Sequence, residues 1–242
     1  MTLTVISMDI RLEADLLRGK NHIFEDGIEI INYSLDKIYS SIGVDEYYTC
    51  LGIINFDKNY YLKKGYESVE IDYYILCYTI QFLEMFIKCK EVKYHSIECK
   101  YMIYLEDDEF VWVDNDKLKN IFNVAKEMYC IADPDLKKDD IIFENDEVAK
   151  KFAEFFEAEK NMGEDVKKDV VTMNSIIEYV SNKHNSLNLS NIWHLTVWQL
   201  YRSYTRLEMI TDYHKTLDGI YSGNIDSKNI NLQKIRADKV IV

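Results

Sequence analysis

A single proline, Pro134, stands in 242 residues, and the eight glycines are scattered singly. Long uninterrupted helices are therefore allowed, and a glycine-rich phosphate-cradling loop is missing. The five cysteines, Cys50, Cys77, Cys89, Cys99 and Cys130, are odd in number and form no CxxC pair. That count suggests neither a disulfide framework nor a zinc site, and thiols in apolar runs suit a reducing cytosol. Basic residues are scarce: 29 Lys and Arg face 42 Asp and Glu, a formal net charge of −13. Such a surface repels phosphates and anionic lipid, so neither nucleic acid nor membrane is expected as a partner. It keeps the protein dissolved and leaves a basic partner possible. Long apolar runs are lacking too. "YYILCYTI" falls far short of the roughly 20 residues that span a bilayer. "MTLTVISMDIRLEADLL" carries charges where a secretory leader needs an unbroken apolar stretch, so a cytoplasmic protein is expected.

What the chain does have is a globular balance, 48% hydrophobic and 29% charged, with 19 tyrosines. Abundant Ile, Asn, Lys and Tyr is the bias of AT-rich coding sequence, so the tyrosines need not all carry function. The first 33 residues read as extended, from "TLTVISM" through the alternating isoleucines of "DGIEIINYS". Ser34 is a helix cap for "LDKIYSSI", with Asp36 in the first turn and Gly43 at the end. "DEYYTCLGIINF" reads as a buried helical segment and "NYYLKKGYES" as a loop. Residues 68–90 form a strong helix in which Ile71, Ile75, Tyr78, Phe82, Met85, Phe86 and Cys89 recur at helical spacing. Nearly every other position is apolar as well, which predicts a helix covered on both sides.

"KYMIYLEDDEFVWVDND" has the pattern of a β-hairpin, and Asp114 or Asn115 can cap a following helix with Leu118, Ile121, Phe122 and Ala125 on one face. "ADPDLKKDDIIFENDE" is the natural boundary. After it come two helical stripes, Val148, Phe152, Phe155 and Phe156, then Val170, Met173, Ile176, Ile177 and Val180. Thr196 and Gln199 fit a capping box that starts a helix at Val197, and Gly223 stops it. The expectation is an α+β protein, predominantly α-helical, with a short N-terminal β segment and one β-hairpin. Its regions are 1–132, α+β with the hairpin near 99–114; a linker at 133–144; and 145–242, helical.

Catalytic patterns are sparse. The turn "EDDE" lacks the spacing of a calcium loop, whose sixth position, counted from Asp114, is Lys119 rather than glycine. A solvated turn is the ordinary reading. His22, His95, His184, His194 and His214 include no HExxH and no i, i+4 pair, so no metal is expected. No cofactor is expected either. His214 reads as a core or interface histidine rather than a general base. Only a cleft gathering Asp107, Asp114 and Asp116 around a metal would suggest an enzyme.

The long helix starting at Val197 carries the richest pattern. Val197, Leu200, Tyr201, Tyr204, Leu207, Ile210, His214, Leu217 and Tyr221 recur along one side. Such a stripe either packs into its own core or offers aromatic anchors to a partner helix. Of this helix, Trp198, Tyr201, Tyr204, Leu207 and His214 are the candidate partner-binding set.

The stretch "NIWHLTVWQLYRSYTRLEMITDYHKTLDGIYSGNIDSKNINLQKI" resembles the C-terminal region of tailed-phage tail assembly chaperones and related tail-morphogenesis proteins. The resemblance lies in the Leu195-Thr196 helix start, the aromatic series from Trp198 to Leu207, and Tyr221-Ser222-Gly223-Asn224-Ile225-Asp226. Upstream, "SLDKIYSSIGVDEYY" is similar to the short helix that follows an opening strand in such proteins. The resemblance implies a non-enzymatic factor of the host-cell cytoplasm that coats the tape-measure protein and recruits tail-tube subunits. A structural protein of the tail or neck, and a phage-encoded inhibitor of a host protein, are the alternatives.

Overall fold

The computed structural model describes residues 10–106, 109–131 and 172–224. "TLTVISM", the 133–144 boundary, the stripe from Val148 to Phe156, Val170 and the tail from Ile225 lie outside them. The fold is α+β and mostly helical. Its elements are α1 (Ile10–Leu17), β1 (His22–Ile23), β2 (Glu29–Ile30), α2 (Leu35–Lys37) continued by a π-helical turn to Ile42, and α3 (Val44–Leu51). Then come α4 (Lys58–Lys63), α5 (Ser68–Phe86), β3 (Glu91–His95), β4 (Lys100–Tyr104), β5 (Phe110–Val113) and α6 (Asn115–Met128). The last two are α7 (Met173–Lys183) and α8 (Val197–Tyr221).

Residues 10–17 are helical, not extended. Leu12 and Leu16, one turn apart, are buried together, which outweighs the β-rich residues before them. The extended reading survives only in the two short paired strands β1 and β2. α5 ends at Phe86 because Ile87 turns extended and pairs with Ile30. The chain from 87 onward therefore joins the sheet, and the expected hairpin gains a third strand. The order is β3-β4-β5, antiparallel throughout, with Val92 opposite Ile103 and Ile103 opposite Val111. That register turns Val92, Tyr101, Ile103 and Val113 inward and Met102, Tyr104, Phe110 and Trp112 outward.

The helix caps follow the sequence. Ser34 accepts from the Lys37 amide, Asp114 from Lys117 and Thr172 from Ser175. At α8 the Thr196 side chain accepts from the Gln199 amide while the Gln199 side chain accepts from the Thr196 amide. Gln199 also donates to the Leu17 carbonyl at 3.0 Å, tying the start of α8 to the end of α1. The Leu35 amide donates to the Leu195 carbonyl at 2.8 Å, so the starts of α2 and α8 are stitched as well.

Phe86 is the hub of the core. Its ring lies 5.0 Å from Phe82, 4.9 Å from Tyr129 and 5.6 Å from Tyr47. Backbone bonds fix it there: the Ile31 amide donates to the Phe86 carbonyl, and the Tyr129 hydroxyl donates to the Ile31 carbonyl at 2.6 Å. Ile176, Val180, Val197 and Leu200 belong to the same buried cluster as Leu16, Ile38, Ile103 and Ile121. Described residues from both sides of the 133–144 segment thus share one core.

Candidate partner-binding surface

α4 and the first half of α5 carry aromatic rings on the outside of the protein. Asp57 caps α4 by accepting from the Asn59 amide, and Gly65, at φ 93°, reverses the chain into α5. Lys58 pairs with Asp72 at 2.5 Å and holds the two helices together. This turn brings Phe56, Tyr61, Tyr66 and Tyr74 to one place. Phe56 stacks on Tyr61 at 4.7 Å and lies 5.6 Å from Tyr74, and Tyr61 meets Tyr66 at 5.7 Å, near edge-on. With Glu70 and Ile71 they line a groove of ≈ 250 Å³. Tyr66 in its wall is 56% exposed, and farther round α5 Tyr73 is 70% and Val69 78% exposed. A hydrogen bond to Tyr78, then burial, pushes the Tyr74 hydroxyl up to about 12.

Two features of the sequence reading change here. "NYYLKKGYES" is not a loop, since α4 occupies its first part. α5 is covered chiefly over its second half, where Phe82, Leu83 and Phe86 are buried; in its first half Ile71 is buried while Val69, Tyr73 and Tyr74 face out. The exposed patch had a signal in the sequence: tyrosines 60, 61, 66, 73 and 74 alternate with charged residues, and such a segment cannot turn every ring inward.

Along α8 the candidate set runs from the interior to the surface. Trp198 is 6% exposed, and the Arg202 guanidinium sits 5.1 Å over its ring while pairing with Glu13. Tyr201 is half-buried and hydrogen-bonded to Tyr48; burial raises its hydroxyl above the ordinary tyrosine value. Tyr204 meets Tyr179 edge-on at 5.4 Å, and Leu207 packs against the core. His214 is exposed beside Tyr213. With about 100° per residue, Val197, Leu200 and Tyr204 lie on one side of the helix, and Met209, Tyr213 and Ile220 lie roughly opposite. Of the five only His214 is exposed, so the structure does not present them as a single outward face.

The remaining candidates have structural occupations. His22, buried, lies 3.2 Å from the Asp15 carboxylate and links β1 to α1, a pair the sequence reading did not foresee. His184 accepts from the Ser186 and Leu187 amides and closes the turn after α7. Asp114 is spent as the cap of α6, Asp116 lies 3.5 Å from Lys119, and Asp107 is outside the described residues. An acidic cleft of ≈ 630 Å³, lined by Glu25, Asp26, Glu29, Glu106 and Glu109, surrounds Lys88. Hydrogen bonding to Glu106, then the charge of Glu29, raises the Lys88 ammonium above its ordinary value. Among the described residues no three His, Cys, Asp or Glu side chains are grouped to hold a metal ion. No helix there is long and apolar enough to cross a membrane.

These features describe a mostly helical α+β protein with an exposed aromatic face. Residues 165–235, which include α7 and α8, match the family model described as the YomV second domain, a phage-associated domain. No curated protein and no solved structure matches the chain.

Proposed function

We propose that this chain is a non-enzymatic phage tail-assembly factor of the host cytoplasm. It holds another tail protein, the tape measure or the tail-tube subunit, through the aromatic face of α4 and α5. The observation that carries this reading is the exposed aromatic set Tyr60, Tyr66, Tyr73 and Tyr74 on α4, the turn after it and the first half of α5, of which Tyr66 and Tyr74 line one groove. Contiguous aromatic surface is costly to leave in water and is the commonest anchor of protein contacts. The phage-associated domain at 165–235 and the likeness of the α8 region to tail-morphogenesis proteins support the setting. A net charge of −13 would keep a coated apolar filament dispersed.

The test is co-purification of the tagged chain from cells expressing the phage tail genes. The wild type should recover the tape-measure or tail-tube protein, and the double variant Tyr66→Asp, Tyr73→Asp should recover about tenfold less, the loss of about 1.4 kcal/mol. Both side chains face solvent, so an unchanged circular-dichroism melt shows that folding is intact. Recovery of a host protein alone would favour the inhibitor alternative, and finding the chain in purified particles would favour a structural role.

A further inference from the structure

The groove between α4 and α5 combines two chemistries that together select a ligand. Its walls are four aromatic rings, from Phe56, Tyr61, Tyr66 and Tyr74, and Ile71. Its one ionisable carboxylate is Glu70, which is exposed and has no cation paired with it among the described residues. Of the nearby cations, Lys58 pairs with Asp72 and Lys64 lies over the Tyr60 ring at 5.5 Å. Aromatic faces present negative potential, so a carboxylate among them deepens the attraction for a positive charge and repels an anion. At ≈ 250 Å³ the groove is smaller than the roughly 300–1,000 Å³ of small-molecule sites and suits one inserted side chain. Tyr66 and Tyr74, which line the groove and are themselves exposed, offer apolar surface to whatever carries that side chain.

We infer that this groove receives a lysine or arginine side chain from an amphipathic helical segment of a protein partner, with the rings packing its stem and head and Glu70 pairing its charge. The inference rests on the protein-binding function above and supplies the chemistry of the contact. The chain's net charge of −13 points the same way, because it draws basic segments toward the surface before any groove is filled.

The probe is a capped, fluorophore-labelled Leu/Lys amphipathic peptide, titrated into the full chain at physiological ionic strength. A second peptide carries glutamine at every lysine position. The Leu/Lys peptide should bind at least tenfold tighter. Glu70→Gln should weaken that binding about tenfold, and Tyr74→Leu by a similar factor. Glu178→Gln, an equal change of net charge on the exposed side of α7, should weaken it less than twofold. Equal losses from Glu70→Gln and Glu178→Gln would overturn the inference, since general charge would then account for binding. Equal affinity for the two peptides would overturn it as well. Should Tyr74→Leu unfold, Glu70→Gln, an isostere at an exposed position, still decides the matter. Glu70→Gln also separates the two proposals: if it leaves tape-measure recovery from cells intact, the inference fails while the tail-assembly function stands.

Discussion

Tyr47 and Tyr129 are two buried tyrosines in the same ring cluster, with opposite hydrogen-bond standing. Tyr129 donates to the Ile31 carbonyl, whereas the Tyr47 hydroxyl has no partner among the described residues. An unpaired buried hydroxyl costs about 1–3 kcal/mol, and removing one partner of a buried bond costs a similar amount. Tyr129→Phe should therefore destabilise the protein by about 1–3 kcal/mol, and Tyr47→Phe should leave stability unchanged or raise it by about 1 kcal/mol, read from urea unfolding midpoints. Loss of more than about 1 kcal/mol on Tyr47→Phe would contradict this assignment. Burial, aided by the neighbouring Tyr47 and Tyr33, holds the Tyr129 hydroxyl well above its ordinary value. The unfolded chain ionises near the ordinary value of about 10, where the folded one does not. This contribution to stability is thus fully present below about pH 10 and is lost as pH rises through the folded value. A urea series from neutral to alkaline pH should show stability falling above about pH 10, less steeply in Tyr129→Phe.

At the scale of elements, the start of α8 is held by side chains more than by propensity. Thr196 and Gln199 form a reciprocal cap, and Gln199 reaches on to the Leu17 carbonyl. Gly19, at φ +64°, lies close beneath: a Cβ there would meet the Gln199 amide nitrogen at 3.2 Å. Gln199→Ala removes both the cap bond and the tie to α1, and should cost about 1–2 kcal/mol in a urea or thermal melt; Thr196→Ala should cost about 1 kcal/mol. This cap was legible in the sequence, as were those at Ser34, Asp114 and the stop at Gly223, because capping depends on residues three positions apart. α1 and β3 were not. The burial of Leu12 and Leu16, and the pairing of Ile87 with Ile30, are decided by contacts distant in sequence. The exposure of Val69, Tyr73 and Tyr74 on α5 was missed for a related reason: a mostly apolar run resembles a buried helix whether or not other elements reach it.

At the scale of the molecule, one core joins α1, the sheet, α5, α6 and the two helices of the phage-associated segment. The strongest sequence signal for a partner, the stripe on α8, goes into that core over its first half, with Trp198 inside and Tyr201, Tyr204 and Leu207 against it. The partner-binding surface proposed above lies instead on α4 and α5, where exposed rings accumulate. The acidic exterior adds long-range attraction for basic partners, so association should slow as salt is raised, while variants of the groove should chiefly speed dissociation.

The most direct measurement is site-specific photo-crosslinking in cells that make the phage tail, with the photoreactive residue at position 73 and, as a control, at position 178. The account predicts a tape-measure or tail-tube adduct from position 73, identified by mass spectrometry, and none from position 178. Adducts of equal yield from both positions, or of a host protein only at position 73, would contradict it.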